Sequence, residues 1–131
     1  MRPIVFYDAE CNFCKSIAAS LATWDRGRRL RFATIQGPLG DERLGDLPPE
    51  RRLASFHFVD EEGRRTSGGA ALAPLFDRLP GGAALGTGLG AAPGAVDRGY
   101  HLIADNRIPL SRLVPGAFKR WAGDALERRE A

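Results

Sequence analysis

The chain has 131 residues, of which 44% are hydrophobic and 27% are charged, and its formal net charge is +3. This composition is that of one globular domain, and it excludes a disordered chain. No apolar run approaches the roughly 18 residues of a membrane-spanning helix, and the apolar stretch at the N-terminus is too short for a signal peptide. We therefore expect a cytoplasmic protein that begins at Met1 and has no membrane partner.

The charge pattern argues against a nucleic-acid partner. Nearly all the positive charge is arginine, since Lys15 and Lys119 are the only lysines. The arginines are spread along the chain with acidic residues between them, whereas nucleic-acid-binding domains usually concentrate basic residues on one face. We expect a solvated surface of mixed charge.

The first 35 residues predict a strand, a helix and a second strand. Residues 3–7 are apolar β-formers, as in a strand that is buried on both faces. Four apolar residues then repeat at the spacing of one helical face, and residues 30–35 form the next strand candidate. Such a βαβ unit has parallel strands and a right-handed crossover. The four residues of the helical stripe are Phe13, Ile17, Leu21 and Trp24.

The middle of the chain predicts a β-hairpin and a helix. Residues 37–54 are charged and rich in turn-forming residues, with room for a short helix. Residues 55–59 have the composition of a strand, residues 60–63 that of a turn, and residues 64–67 that of a short return strand. A helical stripe follows over residues 72–79.

The C-terminal part predicts two more helices. Residues 81–95 are rich in glycine and alanine without a clear period, and they lack the spacing of a phosphate-binding loop, so we expect a flexible connection between helices. Apolar spacing then predicts one helix before residue 107 and a last helix that begins near Pro115. The marker residues are Val96, Tyr100 and Ile103 for the first, and Val114, Phe118, Trp121 and Ala125 for the second.

This order of elements is that of a thioredoxin-like α/β fold: a βαβ unit, a variable segment, a β-hairpin and additional C-terminal helices. We expect a single domain over residues 1–131, with a core of about residues 3–107 and a helical C-terminal extension over residues 108–131. The predicted core residues are Phe6, Phe13, Ile17, Leu21, Trp24, Phe32, Phe56, Phe58, Leu72, Leu75 and Phe76.

Cys11 and Cys14 are the only cysteines, and their spacing indicates thiol–disulfide chemistry. A small secreted protein held by disulfides would have more cysteines at wider spacings. Residues i and i+3 of a helix lie on one face, about 5 Å apart, which is within the range of a disulfide. The backbone N–H groups and the positive dipole end of a helix start would stabilise a thiolate at Cys11. We expect Cys11 to attack a substrate disulfide, and Cys14, more shielded, to resolve the mixed disulfide.

Asp8 closes the first strand, three residues before Cys11. Its carboxylate can accept hydrogen bonds from the loop or from the helix start. It can also take or give the proton of Cys14 during exchange. The two roles are compatible, and both stay open.

The same residues resemble a known family signature. Tyr7-Asp8-x-x-Cys11-x-Phe13-Cys14 is similar to the motif of the DCC family, thioredoxin-like proteins named after this Asp-Cys-Cys trio. The segment from Arg31 to Gln36 is similar to the family's second strand and the glutamine after it, and residues 97–107 are similar to its late helical segment. The resemblance implies a thiol-disulfide oxidoreductase in which Cys11, Cys14 and Asp8 are the catalytic residues.

The cofactor and partner expectations follow from the dithiol, and the chain departs from related sequences at two places. The dithiol is itself the redox group, so no bound cofactor is expected. We expect a monomer whose partners are protein or small-molecule thiol and disulfide substrates. Ala9 stands where the family usually has glycine. Residues 53–55 occupy the region in which thioredoxins place a cis-proline opposite the cysteines. We therefore expect a substrate-binding wall that is built differently.

Two other interpretations remain open. Cys11 and Cys14 could form a metal site with His57 and His101, although the two histidines lie far apart in the sequence and belong to no local metal motif. We expect His57 to face solvent or the opposite face of the sheet, and His101 to lie at the surface. Alternatively, the thiols are structural in a non-enzymatic interaction module that uses residues 81–95 and the charged tail.

Overall fold

The computed structural model describes residues 2–106, 112 and 116–130, and it has a four-stranded sheet between two layers of helices. The strands are β1 (Ile4–Tyr7), β2 (Arg31–Thr34), β3 (His57–Val59) and β4 (Arg65–Ser67). The described helices are α1 (Asn12–Trp24), α2 (Pro38–Leu44), α3 (Pro49–Leu53), α4 (Leu72–Asp77), α5 (Ala83–Ala91), α6 (Pro93–Asp105) and α7 (Gly116–Glu130), with a 3-10 turn at Gly68–Ala71. None of these described helices has both the length and the apolar character that crossing a membrane requires.

The sheet has the strand order β2-β1-β3-β4. Strands β1 and β2 are parallel, and Tyr7 at the end of β1 pairs with Thr34 at the end of β2. Strand β3 is antiparallel to both β1 and β4. The predicted parallel pair and the predicted hairpin are therefore confirmed, and the protein is of the mixed α/β class.

Strand β1 is buried on both faces, as its continuous apolar sequence predicts. Because successive side chains of a strand point to opposite faces, β1 contributes to two clusters. Val5 and Tyr7 pack with residues of α1, α4 and α7 on one face. Ile4 and Phe6 pack on the other face with Leu44 of α2, and leucines near α2 and α3 cover that cluster.

The buried face of α1 differs from the predicted one. Small residues of α1 point into the core, namely Ser16, Ala18, Ala19 and Ala22. The predicted stripe is only half-buried, and Ile17 is 49% exposed. Of the eleven predicted core residues, only the four that follow are buried. They are Phe6, Phe32, Phe58 and Leu75.

Helix α7 explains why α1 presents alanines to the core. It packs along α1, and Ala122, Ala125 and Leu126 of α7 join the same core cluster. Small side chains on both helices let their backbones approach closely. Phe118 and Trp121, two of the residues that predict this helix, instead remain partly exposed and contact each other at a ring separation of 5.0 Å. Val114 and Pro115 lie outside the described residues.

The prediction of a flexible connection over residues 81–95 is wrong, because this segment contains α5 and the beginning of α6. Glycine disfavours a helix in isolation, but here it permits close packing on α4. A side chain at Gly86 would collide with the carboxylate of Asp77 and the backbone carbonyl of Ala73. Tertiary contact therefore outweighs the low helix propensity of this sequence.

His57 lies on the sheet face opposite to Phe58, which is one of the two expected placements, and it is buried there, so the expectation that it faces solvent is wrong. Its Nε2 lies 2.8 Å from the backbone oxygen of Arg52, and its Nδ1 lies 2.6 Å from the Ser67 hydroxyl. A carbonyl oxygen can only accept, so Nε2 donates to it and Nδ1 accepts from Ser67. Burial is the main cause that lowers the pKa of His57 below its usual 6.5, and the charges of Arg65 and Arg52 act in the same direction.

This geometry predicts that acid destabilises the protein through His57. A pKa that is lower in the folded than in the unfolded state contributes stability above about pH 6.5, and this contribution is lost as the pH falls below that value. We expect the free energy of unfolding in urea to fall by up to about 1.4 kcal/mol per pH unit between about pH 6.5 and pH 5. His57→Gln should flatten this slope, and His101→Gln should retain it. An equal slope in the wild-type and His57→Gln proteins would contradict the prediction.

Candidate functional site

The two cysteines lie where β1 passes into α1. Cys11 is the N-cap of α1, with an extended backbone at φ −100° and ψ 111°, and α1 begins at the next residue. The Cys11 Sγ accepts a hydrogen bond from the backbone N–H of Cys14 at 3.3 Å. The prediction that Cys11 lies at the helix start is confirmed. The backbone N–H of Cys14 and the positive end of the α1 dipole therefore lie beside this sulfur.

The relative exposure of the two cysteines is the reverse of the expected one. Cys11 is only 9% exposed, whereas Cys14 is half-buried and lines a groove. The expectation that Cys14 is the more shielded residue is therefore wrong. Position 14 shares a helical face with Ile17 and Leu21, and this face of α1 borders the groove. Cys11 is enclosed between the end of the strand and the first turn of the helix.

Asp8 and Gln36 hold the loop that leads to Cys11. The Asp8 Oδ1 accepts hydrogen bonds from the backbone N–H of Glu10 at 2.9 Å and from the Gln36 Nε2 at 2.8 Å. The Gln36 Oε1 accepts from the backbone N–H of Ala9 at 3.0 Å, and the Cys11 N–H donates to the Asp8 carbonyl at 3.3 Å. The loop contacts predicted for Asp8 are thus present.

The residues that neighbour Gln36 in the sequence do not predict a role for it. It follows β2, and it reaches Asp8 because β1 and β2 are parallel neighbours whose carboxyl ends lie at the same edge of the sheet. Its place in the family resemblance was the only sequence signal for it. The structure adds a physical reason, because one side-chain amide bonds both the carboxylate of Asp8 and the backbone of Ala9.

An apolar groove of about 410 Å³ adjoins the cysteine motif. Asp8, Cys14 and Ser55 lie in its wall, and the rest of the lining comes mainly from apolar side chains of β1, α1, α4, α5 and α6 and from Phe56. Phe13, Ile17 and Leu21 of the predicted helical stripe thus line this groove, while Leu21 and Trp24 also pack against the core cluster. The large side chains of the groove include Phe13, Ile17, Phe56, Phe76, Tyr100 and Ile103.

Tyr100 of α6 contacts the segment that precedes β3. Its hydroxyl accepts a hydrogen bond from the Phe56 N–H at 3.0 Å, and the Phe56 carbonyl accepts from the Gly68 N–H at 3.1 Å. Gly68 has φ +62°, and a side chain at this position would meet the Tyr100 ring at 3.3 Å. Both backbone groups of Phe56 are therefore bonded within the protein.

The four candidate metal ligands are not brought together. His57 bonds Arg52 and Ser67, and His101 is exposed with its Nε2 3.5 Å from the Asp97 carboxylate. Within residues 2–106, 112 and 116–130, no group of three or more histidine, cysteine or acidic side chains is placed to hold a metal ion. The placement of these histidines gives the metal interpretation no support.

Comparison with known proteins identifies the family. Residues 5–113 match the family model of the DCC1-like thiol-disulfide oxidoreductases, and this range contains both cysteines, Asp8 and Gln36. No curated protein and no solved structure matches the chain. The match covers most of the 131 residues and confirms the resemblance seen in the N-terminal motif. The chain belongs to the DCC1-like thiol-disulfide oxidoreductase family.

Proposed function

We propose that this protein exchanges electrons with substrate disulfides through the Cys11–Cys14 pair. The single observation that carries the proposal is the hydrogen bond from the Cys14 N–H to the Cys11 Sγ at the start of α1. This contact favours a reactive thiolate one helical turn away from a second thiol. The family supplies the reaction class, and the mixed α/β sheet is consistent with the thioredoxin-like fold that we propose.

The proposed reaction passes two electrons to the substrate. The Cys11 thiolate attacks one sulfur of the substrate disulfide, a mixed disulfide forms, and the other substrate sulfur leaves with the bonding pair and takes a proton. Cys14, deprotonated, then attacks the Cys11 sulfur, so that the Cys11–Cys14 disulfide forms and the second substrate thiol is released. The dithiol is the redox group, and the reaction as proposed involves no bound cofactor.

The small exposure of Cys11 constrains how a substrate approaches. Cys14 lies in the wall of the groove and is the more exposed sulfur-bearing residue. Helix-start stabilisation favours Cys11 as the attacking group, whereas accessibility favours Cys14. We assign the attack to Cys11 because the reacting species is the thiolate. The opposite assignment, in which Cys14 attacks the substrate, is tested with serine variants of each cysteine.

The first test is reversible disulfide formation. Incubation with glutathione disulfide should remove both thiols without producing a dimer, and dithiothreitol should restore them, as measured by alkylation and mass determination. The reduced protein should also reduce hydroxyethyl disulfide. If both thiols persist under glutathione disulfide and also under hydroxyethyl disulfide while the protein remains folded, the redox proposal is wrong and the interaction-module alternative is favoured.

A pair of variants separates the two roles of Asp8. Asp8→Asn keeps the hydrogen-bonding oxygen but removes the exchangeable proton, whereas Gln36→Ala removes the link between Asp8 and Ala9. If Asp8 moves a proton of Cys14, Asp8→Asn should slow turnover by about tenfold or more with little change in stability. Gln36→Ala should cost on the order of 1 kcal/mol of unfolding free energy. Normal turnover in Asp8→Asn would leave Asp8 with a structural role alone.

A further inference from the structure

The groove beside Cys14 has the size and the wall chemistry of a small-molecule site. Its volume of about 410 Å³ falls in the usual range for such sites, about 300–1,000 Å³. We propose that it binds neutral, apolar disulfides of low molecular weight and presents them to the cysteine pair. This inference rests on the proposed function, and it adds the class of substrate.

The charge of the lining argues against glutathione disulfide. No lysine or arginine lies among the described residues that line the groove, and Asp8 contributes a carboxylate to its wall. Glutathione disulfide carries several carboxylates, which would be repelled by Asp8 and would lose hydration against apolar side chains without gaining a cationic partner. A neutral ligand avoids both costs.

The backbone around the groove argues against an extended peptide. Redox partners can bind a substrate chain by adding it to exposed main-chain groups, as in other strand-addition complexes. Here the N–H and carbonyl groups of Phe56 already bond Tyr100 and Gly68. An extended peptide in the groove could therefore not pair with the main chain of Phe56, and its amide groups beside the apolar side chains would lose hydration at a substantial cost.

The positions of the aromatic side chains define how such a disulfide would bind. The rings of Phe13, Phe56 and Phe76 form much of the wall, so an aryl or alkyl substituent would pack against them. Cys14 lies in the same wall, and its backbone N–H contacts the Cys11 Sγ at 3.3 Å. A substituent in the groove thus leaves its sulfur near the pair. One dithiol and one substrate disulfide give the protein disulfide and two substrate thiols, so atoms and electrons balance without another reductant.

The test compares two neighbouring residues of α6. Ile103 is 50% exposed and lines the groove, whereas Leu102 is 69% exposed and lies outside the lining. The reduced full-length protein is mixed in a single turnover with dithiodipyridine, which is neutral and aromatic, or with hydroxyethyl disulfide, which is neutral and small. Acid quenching and mass determination then give the rate at which the protein disulfide forms with each substrate.

We expect Ile103→Asn to lower the ratio of the dithiodipyridine rate to the hydroxyethyl disulfide rate by about fivefold, because it removes apolar contact with the aromatic group alone. Leu102→Asn should leave this ratio unchanged. Ile17→Asn, which alters the groove from α1, should lower it as Ile103→Asn does. The ratio corrects for any effect on the reactivity of the thiols, since both substrates are attacked by the same group.

Other outcomes overturn the inference in distinguishable ways. An unchanged ratio in both Ile103→Asn and Ile17→Asn would show that the groove does not select the substrate, while the proposed function would stand. Oxidised glutathione reacting as fast as hydroxyethyl disulfide, which also releases an alkyl thiol, would also overturn it. The inference would also be overturned if a peptide disulfide with apolar flanking residues were the one substrate whose reduction is slowed by Ile103→Asn. If the wild-type protein reduced none of these disulfides, the proposed function itself would fail.

Discussion

The Cys14→Ser protein should accumulate a mixed disulfide with its substrate, at least about tenfold more than the Cys11→Ser protein. In Cys14→Ser the attacking Cys11 remains, and its hydrogen bond remains as well because the donor is the backbone N–H of residue 14. Once the mixed disulfide has formed, the chain contains no third cysteine that could break it. Non-reducing electrophoresis and intact mass will detect the adduct, and a reductant should release it.

The alternative outcomes of this experiment are equally informative. More adduct in Cys11→Ser would reverse the assignment and would mean that exposure, rather than the helix start, decides which thiol attacks. Equal trapping by both variants would remove the division of roles altogether. If neither variant traps a substrate and both are folded, the thiols are structural. The structure makes the experiment necessary because Cys11 is only 9% exposed while Cys14 lies in the wall of the groove.

Phe6→Ala should lower the free energy of unfolding by about 3–5 kcal/mol. Phe6 is completely buried in the centre of the sheet, and its removal leaves a cavity between β1 and the layer formed by α2 and α3. Such a loss is a large part of the total stability of a typical domain. Urea denaturation followed by circular dichroism provides the measurement.

Phe118→Ala is the matched control for this prediction. Phe118 is 38% exposed on α7, so the same truncation there should cost about 1 kcal/mol or less. A difference of less than about 1 kcal/mol between the two variants would mean that the cluster around Phe6 relaxes to fill the space. A large loss in Phe6→Ala would confirm that the strand leading to Asp8 depends on this second core.

Local sequence patterns were sufficient for the elements that carry the cysteines. The continuous apolar sequence of residues 3–7 predicts a strand buried on both faces, and the structure has it at Ile4–Tyr7. The turn residues after the third strand predict the hairpin, and the apolar stripe that begins at Phe13 predicts a helix whose first turn contains Cys11. These features depend on contacts between residues that are close in the chain, so the local sequence contains most of the information.

Contacts between distant segments decided the rest of the site. The apolar stripe of α1 predicts that one helical face meets other apolar groups, but its spacing does not specify whether that face meets the core or a groove. The packing of α7 on the alanines of α1 decided this, and it left Ile17 beside the groove formed with α4, α5 and α6. The low helix propensity of residues 81–95 was likewise overridden by close packing on α4.

The sequence by itself therefore determined the chemistry of this protein, and the tertiary structure determined the surroundings of that chemistry. A dithiol at a helix start follows from two cysteines and the elements beside them. The bond between Gln36 and Asp8, the burial of His57 and the contact of Tyr100 with Phe56 each join residues from different elements. These contacts depend on which strands are neighbours and which helices cover them. The local periodicity of the sequence does not specify that arrangement.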